Sequence, residues 1–266
     1  MILEVKDLSF GYEKNRILFH DASFSVDKGE IFCILGSNGI GKSTLLNCIA
    51  NLLTPQSGSI SLNGKILEER SLKEIAQIIG YVPQNHDAAY AYEVRDYMVM
   101  GRAPYLGMFA QPSERDYRRV EEVLEELGIS HLAERPYTEL SGGERQLVSI
   151  GRAIVQDPEL IILDEPTNHL DYGNQFRMLK LIERLAEKGY GIILTSHMPD
   201  HVLMLNGKVG ILGADGRLQV GTTDEIMTEE NLEALYQVDI HMIEVEQVGR
   251  KICVAGTKNK KEQKQQ

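Results

Sequence analysis

The chain opens with apolar and polar positions alternating at Ile2, Leu3 and Val5, and the alternation returns at Phe24 and Val26, with turns at Gly11 and at Lys28-Gly29. Side chains that alternate in this way line the two faces of a half-buried ribbon, so residues 1 to 35 predict antiparallel strands. The pattern then changes. Ile31 to Leu35 is an unbroken apolar run closed by a glycine-rich loop, and Ser43 to Leu53 repeats its apolar positions at helical spacing, which predicts strand, loop and helix. Ile78 to Val82, Leu160 to Leu163 and Gly191 to Thr195 are further apolar runs, each too short for a helix and separated by helical segments. Buried strands alternating with helices predict a mostly parallel α/β sheet behind an N-terminal antiparallel β subdomain.

Residues 85 to 158 predict a helical, largely strand-free subdomain inserted into that sheet, where Glu114 to Leu127 sets Val120, Val123, Leu124 and Leu127 against a charged face. After Met198 come short strands around Lys208 to Leu212 and Leu218 to Val220, then a helix from about Glu225 to Tyr236. Lys258 to Gln266 holds basic and polar side chains and no apolar one. That composition predicts a frayed tail, with contact to a membrane surface as the second reading, and leaves residues 1 to 257 as one domain.

Composition narrows the function. A chain of 266 residues, 42% hydrophobic and 25% charged, is long enough to bury a sizeable core. No stretch approaches the roughly 18 apolar residues needed to cross a bilayer, and Met1 to Asp7 lacks the regions of a signal peptide, so the expected compartment is the cytoplasm. The net charge of -11 has the wrong sign for a surface that binds nucleic acid by neutralising phosphates, and no nucleic-acid partner is expected. Cys33, Cys48 and Cys253 lack metal-ligand spacing and read as buried thiols.

The glycine-rich loop carries the first chemistry. Gly36-Ser37-Asn38-Gly39-Ile40-Gly41-Lys42-Ser43 has the form G-x-x-x-x-G-K-[ST] and lies between a predicted strand and a predicted helix. Glycines at 36, 39 and 41 let backbone N–H groups turn toward an anion, and the N-terminus of the next helix adds its dipole. Lys42 then reaches the β and γ phosphates of a nucleotide, Ser43 ligates Mg²⁺, and Thr44 completes the cradle. Leu160 to Leu163 ends in Asp164-Glu165 at the edge where open α/β sheets place ligands. Asp164 is the candidate metal ligand, and Glu165 the candidate base that polarises the attacking water. The bland alternative is a pair of acids capping the turn before Pro166.

Leu140-Ser141-Gly142-Gly143-Glu144-Arg145-Gln146 has the form of the signature sequence of ABC ATPases, and with it the chain resembles that family. Physically, Ser141 with Gly142 and Gly143 opens a helix and offers a second anion site, although Ser141 with Glu144 also makes an ordinary S-x-x-E capping box. The resemblance runs over about residues 1 to 240 and implies further roles. Tyr12, after Phe10-Gly11, matches the ring that stacks on adenine, and Gln84 the glutamine that links magnesium to the transporter-facing subdomain. Asp171 matches the D-loop aspartate, and His197 the histidine that contacts the γ phosphate. Catalysis by Glu165, His197 and Lys42, with ATP and Mg²⁺, is what the resemblance implies.

Each motif occurs once, and in the family the signature of one domain completes the site on the P-loop of another. A head-to-tail homodimer is therefore expected, carried on the cytoplasmic face of the membrane by separate permease subunits. The finer resemblance is to importers of metal chelates such as iron siderophores, haem and cobalamin, and of molybdate-like cargo, which work with a substrate-binding protein. It rests on Gly101-Arg-Ala-Pro-Tyr105, on Gln111-Pro-Ser-Glu-Arg-Asp116 and on His169-Leu-Asp-Tyr-Gly-Asn-Gln175. Met198-Pro-Asp-His201 departs from the commoner Asp-Leu-Asn after the histidine. Tyr90, Tyr92, Tyr97, Met98, Met100, Tyr105 and Met108 suggest either a groove for a permease helix or core packing. An exporter subunit is the alternative reading, followed by a non-transport soluble ABC ATPase.

Overall fold

The computed structural model describes residues 1–13, 17–84, 91–107 and 109–256. Tyr90, Met108 and the tail 258–266 lie outside them. Strands β1 (Leu3–Phe10) and β2 (Phe19–Val26) pair antiparallel as the alternation predicts, with Leu3 opposite Val26 and Val5 opposite Phe24. The alternation breaks at Asp7, which adopts a left-handed φ of 47°, and the register shifts there. Beyond that bulge Leu8, Ser9 and Phe10 are all buried.

Strand β3 (Ile31–Leu35) is buried throughout and feeds helix α1 (Lys42–Ile49). The predicted helix to Leu53 stops at Ile49. Asn51 turns left-handed at φ 58°, and the N–H groups of Leu52 and Leu53 both donate to the Asn47 carbonyl, which spends the last turn closing the helix ahead of Pro55. Strands β4 (Ser57–Leu62) and β5 (Lys65–Ile66) follow, unforeseen from the sequence, and extend the first sheet in the order β2-β1-β4-β5. Helix α2 (Leu72–Ile78), capped reciprocally by Ser71 and Glu74, leads into β6 (Ile79–Val82).

Three helices then form the inserted subdomain: α3 (Val94–Val99), α4 (Glu114–Glu126) and α5 (Gly142–Val155). Its centre is aromatic. Tyr97 stacks on Tyr137 at 4.3 Å, the Tyr137 hydroxyl shares a hydrogen bond with Ser149, and a side chain at Gly151 would strike Met98. Tyr97 and Met98 therefore serve the core, whereas Tyr92, Met100 and Tyr105 stay exposed.

The chain returns through β7 (Leu160–Leu163), α6 (Tyr172–Glu187), β8 (Gly191–Ser196), α7 (Pro199–Leu205), β9 (Lys208–Leu212) and β10 (Leu218–Thr222). The second sheet has the order β10-β9-β3-β8-β7-β6, parallel except for β10 at its edge. Its two faces divide the core. Ile31, Cys33, Leu35, Ile161, Leu163, Ile192 and Leu194 face the helical side, while Phe32, Ile34, Leu160, Ile162 and Ile193 face α1 and the first sheet. Phe24 stacks on Phe32 at 4.4 Å to join the two sheets. Burial pushes the thiols of Cys33 and Cys48 up to about 12, so both stay neutral, as expected of buried cysteines.

The helix predicted from Glu225 to Tyr236 is two helices, α8 (Thr223–Ile226) and α9 (Glu229–Tyr236). Thr222 and Thr228 each cap a new N-terminus, through the N–H of Glu225 and of Asn231, and the two caps break the run. A C-terminal hairpin, β11 (Ile240–Val245) with β12 (Arg250–Ala255), was not foreseen and packs on α7.

Candidate active site

The parallel strands end on one edge, and the sequence-predicted Lys42, Ser43, Gln84, Asp164, Glu165 and His197 meet there. Gly39 (φ 77°) and Gly41 (φ 116°) take left-handed backbone conformations, and a Cβ at Gly41 would lie 2.8 Å from Leu18, so glycine is required for the loop to close. Helix α1 starts on Gly41 with no side-chain cap, which leaves its first N–H groups directed at the cleft. Lys42 is buried. Its ammonium donates to the carbonyls of Gly36 (2.8 Å) and Ser37 (3.1 Å) and lies 3.3 Å from Glu165 Oε1.

Glu165 is the hub of this edge. It follows Asp164 with a φ of 46°, a left-handed conformation that costs a non-glycine residue about 1–2 kcal/mol. That turn brings its carboxylate within 3.4 Å of Gln84 Nε2 and 3.3 Å of His197 Nδ1, on the opposite oxygen from the Lys42 contact. The His197 nitrogen is close but misaligned for a hydrogen bond. Asp164 is buried and accepts the Thr195 hydroxyl at 2.6 Å.

A cleft of about 580 Å³ runs from Tyr12 to Glu165 and is lined by Asn38, Gly39, Gly41, Lys42, Ser43, Thr44 and Gln84. Tyr12 stands at the far end, exposed and T-shaped against the Phe10 ring, with a hydrogen bond between its hydroxyl and Thr44. Among the described residues no group of three or more His, Cys, Asp or Glu makes a ready cation cage. The donors present, the Ser43 hydroxyl, the Gln84 amide and the Asp164 carboxylate, are hard oxygens, and they fit a magnesium ion that takes its remaining ligands from phosphate and water.

The signature residues stand elsewhere. Ser141 caps α5 in a reciprocal box with Glu144, donating to its carboxylate at 2.7 Å and accepting from its N–H. The Ser141 hydroxyl and N–H hold the Glu144 carboxyl below the usual carboxylate range. Neither Ser141, Gly142 nor Gly143 lines the cleft. Gly143 instead neighbours Asn174, whose backbone and side chain both donate to Asp171 at the N-cap of α6. Asp171 and the signature thus form a second group apart from the first.

Several contacts around the cleft had no signature in the sequence. Thr195 is one, visible only as a hydroxyl near the end of an apolar strand. His201 is another: it is buried, shares a hydrogen bond with Thr167 across 3.2 Å, and burial depresses its imidazole pKa despite nearby Asp200. Tyr236 donates to the His197 carbonyl at 2.8 Å from α9, some 39 positions away.

A phosphate-binding loop at the end of a parallel sheet, with a paired acid at the end of a strand one removed from it across β8, defines a P-loop ATP-binding domain. The ABC transporter family profile matches residues 19–168. The chain is 34% identical over 263 residues to the iron(3+)-hydroxamate import ATP-binding protein FhuC of Bacillus subtilis, covering 98% of this chain and 97% of that protein. It is 38% identical over 237 residues to the molybdate import ATP-binding protein MolC of Haemophilus influenzae, covering 89% and 88%. A solved inward-facing structure of a metal-chelate type ABC transporter superposes with a TM-score of 0.87 at 35% identity, over 97% of this chain and 98% of that one. The chain belongs to the ABC transporter family and is an ATP-binding subunit with ATPase activity. No helix among the described residues is long and apolar enough to cross a membrane.

Proposed function

We propose that this ATPase powers the import of a metal chelate, or of a molybdate-like oxyanion, through separate membrane-spanning permease subunits. The cargo class is supported by the near full-length likeness to proteins named for hydroxamate-bound iron and for molybdate import. A peripheral position on the cytoplasmic face, with a substrate-binding protein acting on the far side, belongs to the same reading. Tyr92, Met100 and Tyr105, exposed beside the helical subdomain, are the surface offered to a permease helix.

The working unit is a head-to-tail pair, and the separation within one chain supports this most. Lys42, Ser43, Gln84, Glu165 and His197 converge on one edge, while Ser141 to Gly143 and Asp171 gather elsewhere and line no part of the cleft. Each chain then holds two half-sites that only a second copy completes. Closure on ATP exploits tighter binding by the closed pair, and hydrolysis reverses it.

Within a completed site, Tyr12 stacks on the adenine and the loop N–H groups with Lys42 hold the phosphates. Lys42 exchanges the Glu165 carboxylate for phosphate oxygens. Ser43, Asp164 and Gln84 would hold magnesium, which supplies charge neutralisation on the phosphates. Glu165, freed from Lys42, orients and polarises the water, and His197 faces the γ phosphate. Ser141 and the Gly142 and Gly143 N–H groups close the site from the second copy.

Reconstitution with the permease in vesicles tests the transport reading. ATP hydrolysis should rise when the binding protein is loaded with a ferric hydroxamate or with molybdate. A rate indifferent to every metal chelate and oxyanion supplied from outside would end the import assignment.

A further inference from the structure

Strand β8 reads Gly-Ile-Ile-Leu-Thr-Ser, and Thr195 is fully buried in it. A buried hydroxyl is disfavoured in an aliphatic strand unless both its donor and acceptor capacities are used. At Thr195 both are. Its Oγ1 donates to Asp164 Oδ1 at 2.6 Å and accepts from the Glu165 N–H at 2.8 Å. One hydroxyl therefore ties the side chain of the first acid to the backbone of the second.

The place matters as much as the bonds. In the β7–β8 ladder Leu163 lies opposite Leu194, so Asp164 and Thr195 follow one step beyond the last paired residues. On the other side, Asp164 still donates its N–H to the Val82 carbonyl of β6. The next N–H, that of Glu165, is taken by a side chain, and there the backbone turns into its left-handed conformation. The turn directs the carboxylate at Lys42, Gln84 and His197. A second strut, His201 to Thr167, holds the same turn from α7.

We propose that Thr195 is a positioning residue for ATP hydrolysis, because its hydroxyl sets the direction of the Asp164 carboxylate and the turn that presents Glu165. This rests on the reading of Asp164 as metal ligand and Glu165 as base. Valine has nearly the shape of threonine and lacks the hydroxyl, so Thr195→Val removes both bonds and leaves the strand filled. Thr195→Ser keeps the hydroxyl.

The test measures steady-state hydrolysis, magnesium dependence, calorimetric affinity for ATP with and without magnesium, and the melting temperature of nucleotide-free protein. Thr195→Val should lower kcat about tenfold or more, with KM changed less than about threefold. It should raise the magnesium concentration for half-maximal rate and weaken ATP binding only when magnesium is present. Melting should fall by about 2–6 °C, because the Glu165 N–H and the Asp164 carboxylate each lose a buried partner, and Thr195→Ser should recover most of both losses. If Thr195→Val is not recovered folded, Thr195→Cys, a poor hydrogen-bonding replacement of similar size, gives the same comparison. Wild-type kcat and magnesium dependence in the hydroxyl-less variant overturn the proposal, as does an equal loss in Thr195→Ser. Glu165→Gln is run beside them: normal turnover there refutes the reading of Glu165, whereas an inactive Glu165→Gln with a normal Thr195→Val refutes only the role of Thr195.

Discussion

The P-loop and the signature turn are both helix N-termini built from glycines, and they differ in what occupies their first turn. Helix α1 begins on Gly41 without a side-chain cap, and the anion that pairs with Lys42, Glu165, comes from beyond the end of another strand. Helix α5 begins on Ser141, whose hydroxyl and N–H are both engaged by Glu144 three residues on. The first is therefore an open anion site held ready by distant residues, and the second is a stable helix end satisfied by its own sequence. An external phosphate has only the Lys42–Glu165 pair to exchange with at the first, but at the second it competes with a local cap that contributes about 0.5–2 kcal/mol. That asymmetry fits a domain that binds ATP on its P-loop first and recruits the signature only when a second copy closes.

The largest break in this comparison is expected from Glu165→Gln. Hydrolysis should fall about 10²- to 10⁴-fold while calorimetric ATP binding persists and light scattering reports a longer-lived dimer. Ser141→Arg should remove hydrolysis from its own homodimer, yet mixing it with Lys42→Ala should restore a measurable rate, because one intact composite site forms in each mixed pair. No recovery in the mixture would count against two half-sites per chain. Lys42→Ala by itself should weaken ATP binding about 10- to 100-fold, the loss of a charge-assisted contact, and leave the fold intact by circular dichroism.

Acid separates the two regions next. The His201 imidazole is depressed by burial, so the stability tied to its neutral form is present above the unfolded value of about 6.5 and drains as the pH falls toward the depressed value. Melting curves should therefore soften between pH 7 and 5, and the slope should shrink in His201→Asn. Glu144 also has a depressed value, but as a carboxylate its contribution holds until the pH falls below the ordinary glutamate range. The smallest effect is expected from Glu144→Ala, which opens the cap and should lower the melting temperature by about 2–4 °C while ATP affinity at the cleft is unchanged.

Much of the site was legible because its parts are local. A phosphate loop needs its glycines, lysine and serine at fixed spacing, and a capping box needs Ser141 and Glu144 three apart, so both can be read along the chain. The buried strands were legible for a related reason: β3, β7 and β8 are apolar on both faces and too short to be helices. Less could be read where short polar segments depend on neighbours. Ser57 to Leu62 alternates weakly and becomes a strand only because β1 offers an edge, and the C-terminal hairpin, mostly half-buried or exposed, is held against α7 by Asp200 accepting the Cys253 N–H.

The sequence alone thus determined that this chain carries a P-loop between a strand and a helix, a paired acid at the end of a buried strand, and one signature turn, since each of these is a contiguous string whose chemistry lies in its spacing. Tertiary structure decided which side chains share a site. Gln84, Glu165 and His197 are separated by 81 and 32 positions, yet they meet within hydrogen-bonding range because β6, β7 and β8 end on the same edge. It also decided the placement of the Thr195 hydroxyl between Asp164 and the Glu165 N–H, and the separation of the signature from the cleft. Spacing along a chain records what neighbouring residues do together, and the order of strands in a sheet decides what distant ones do.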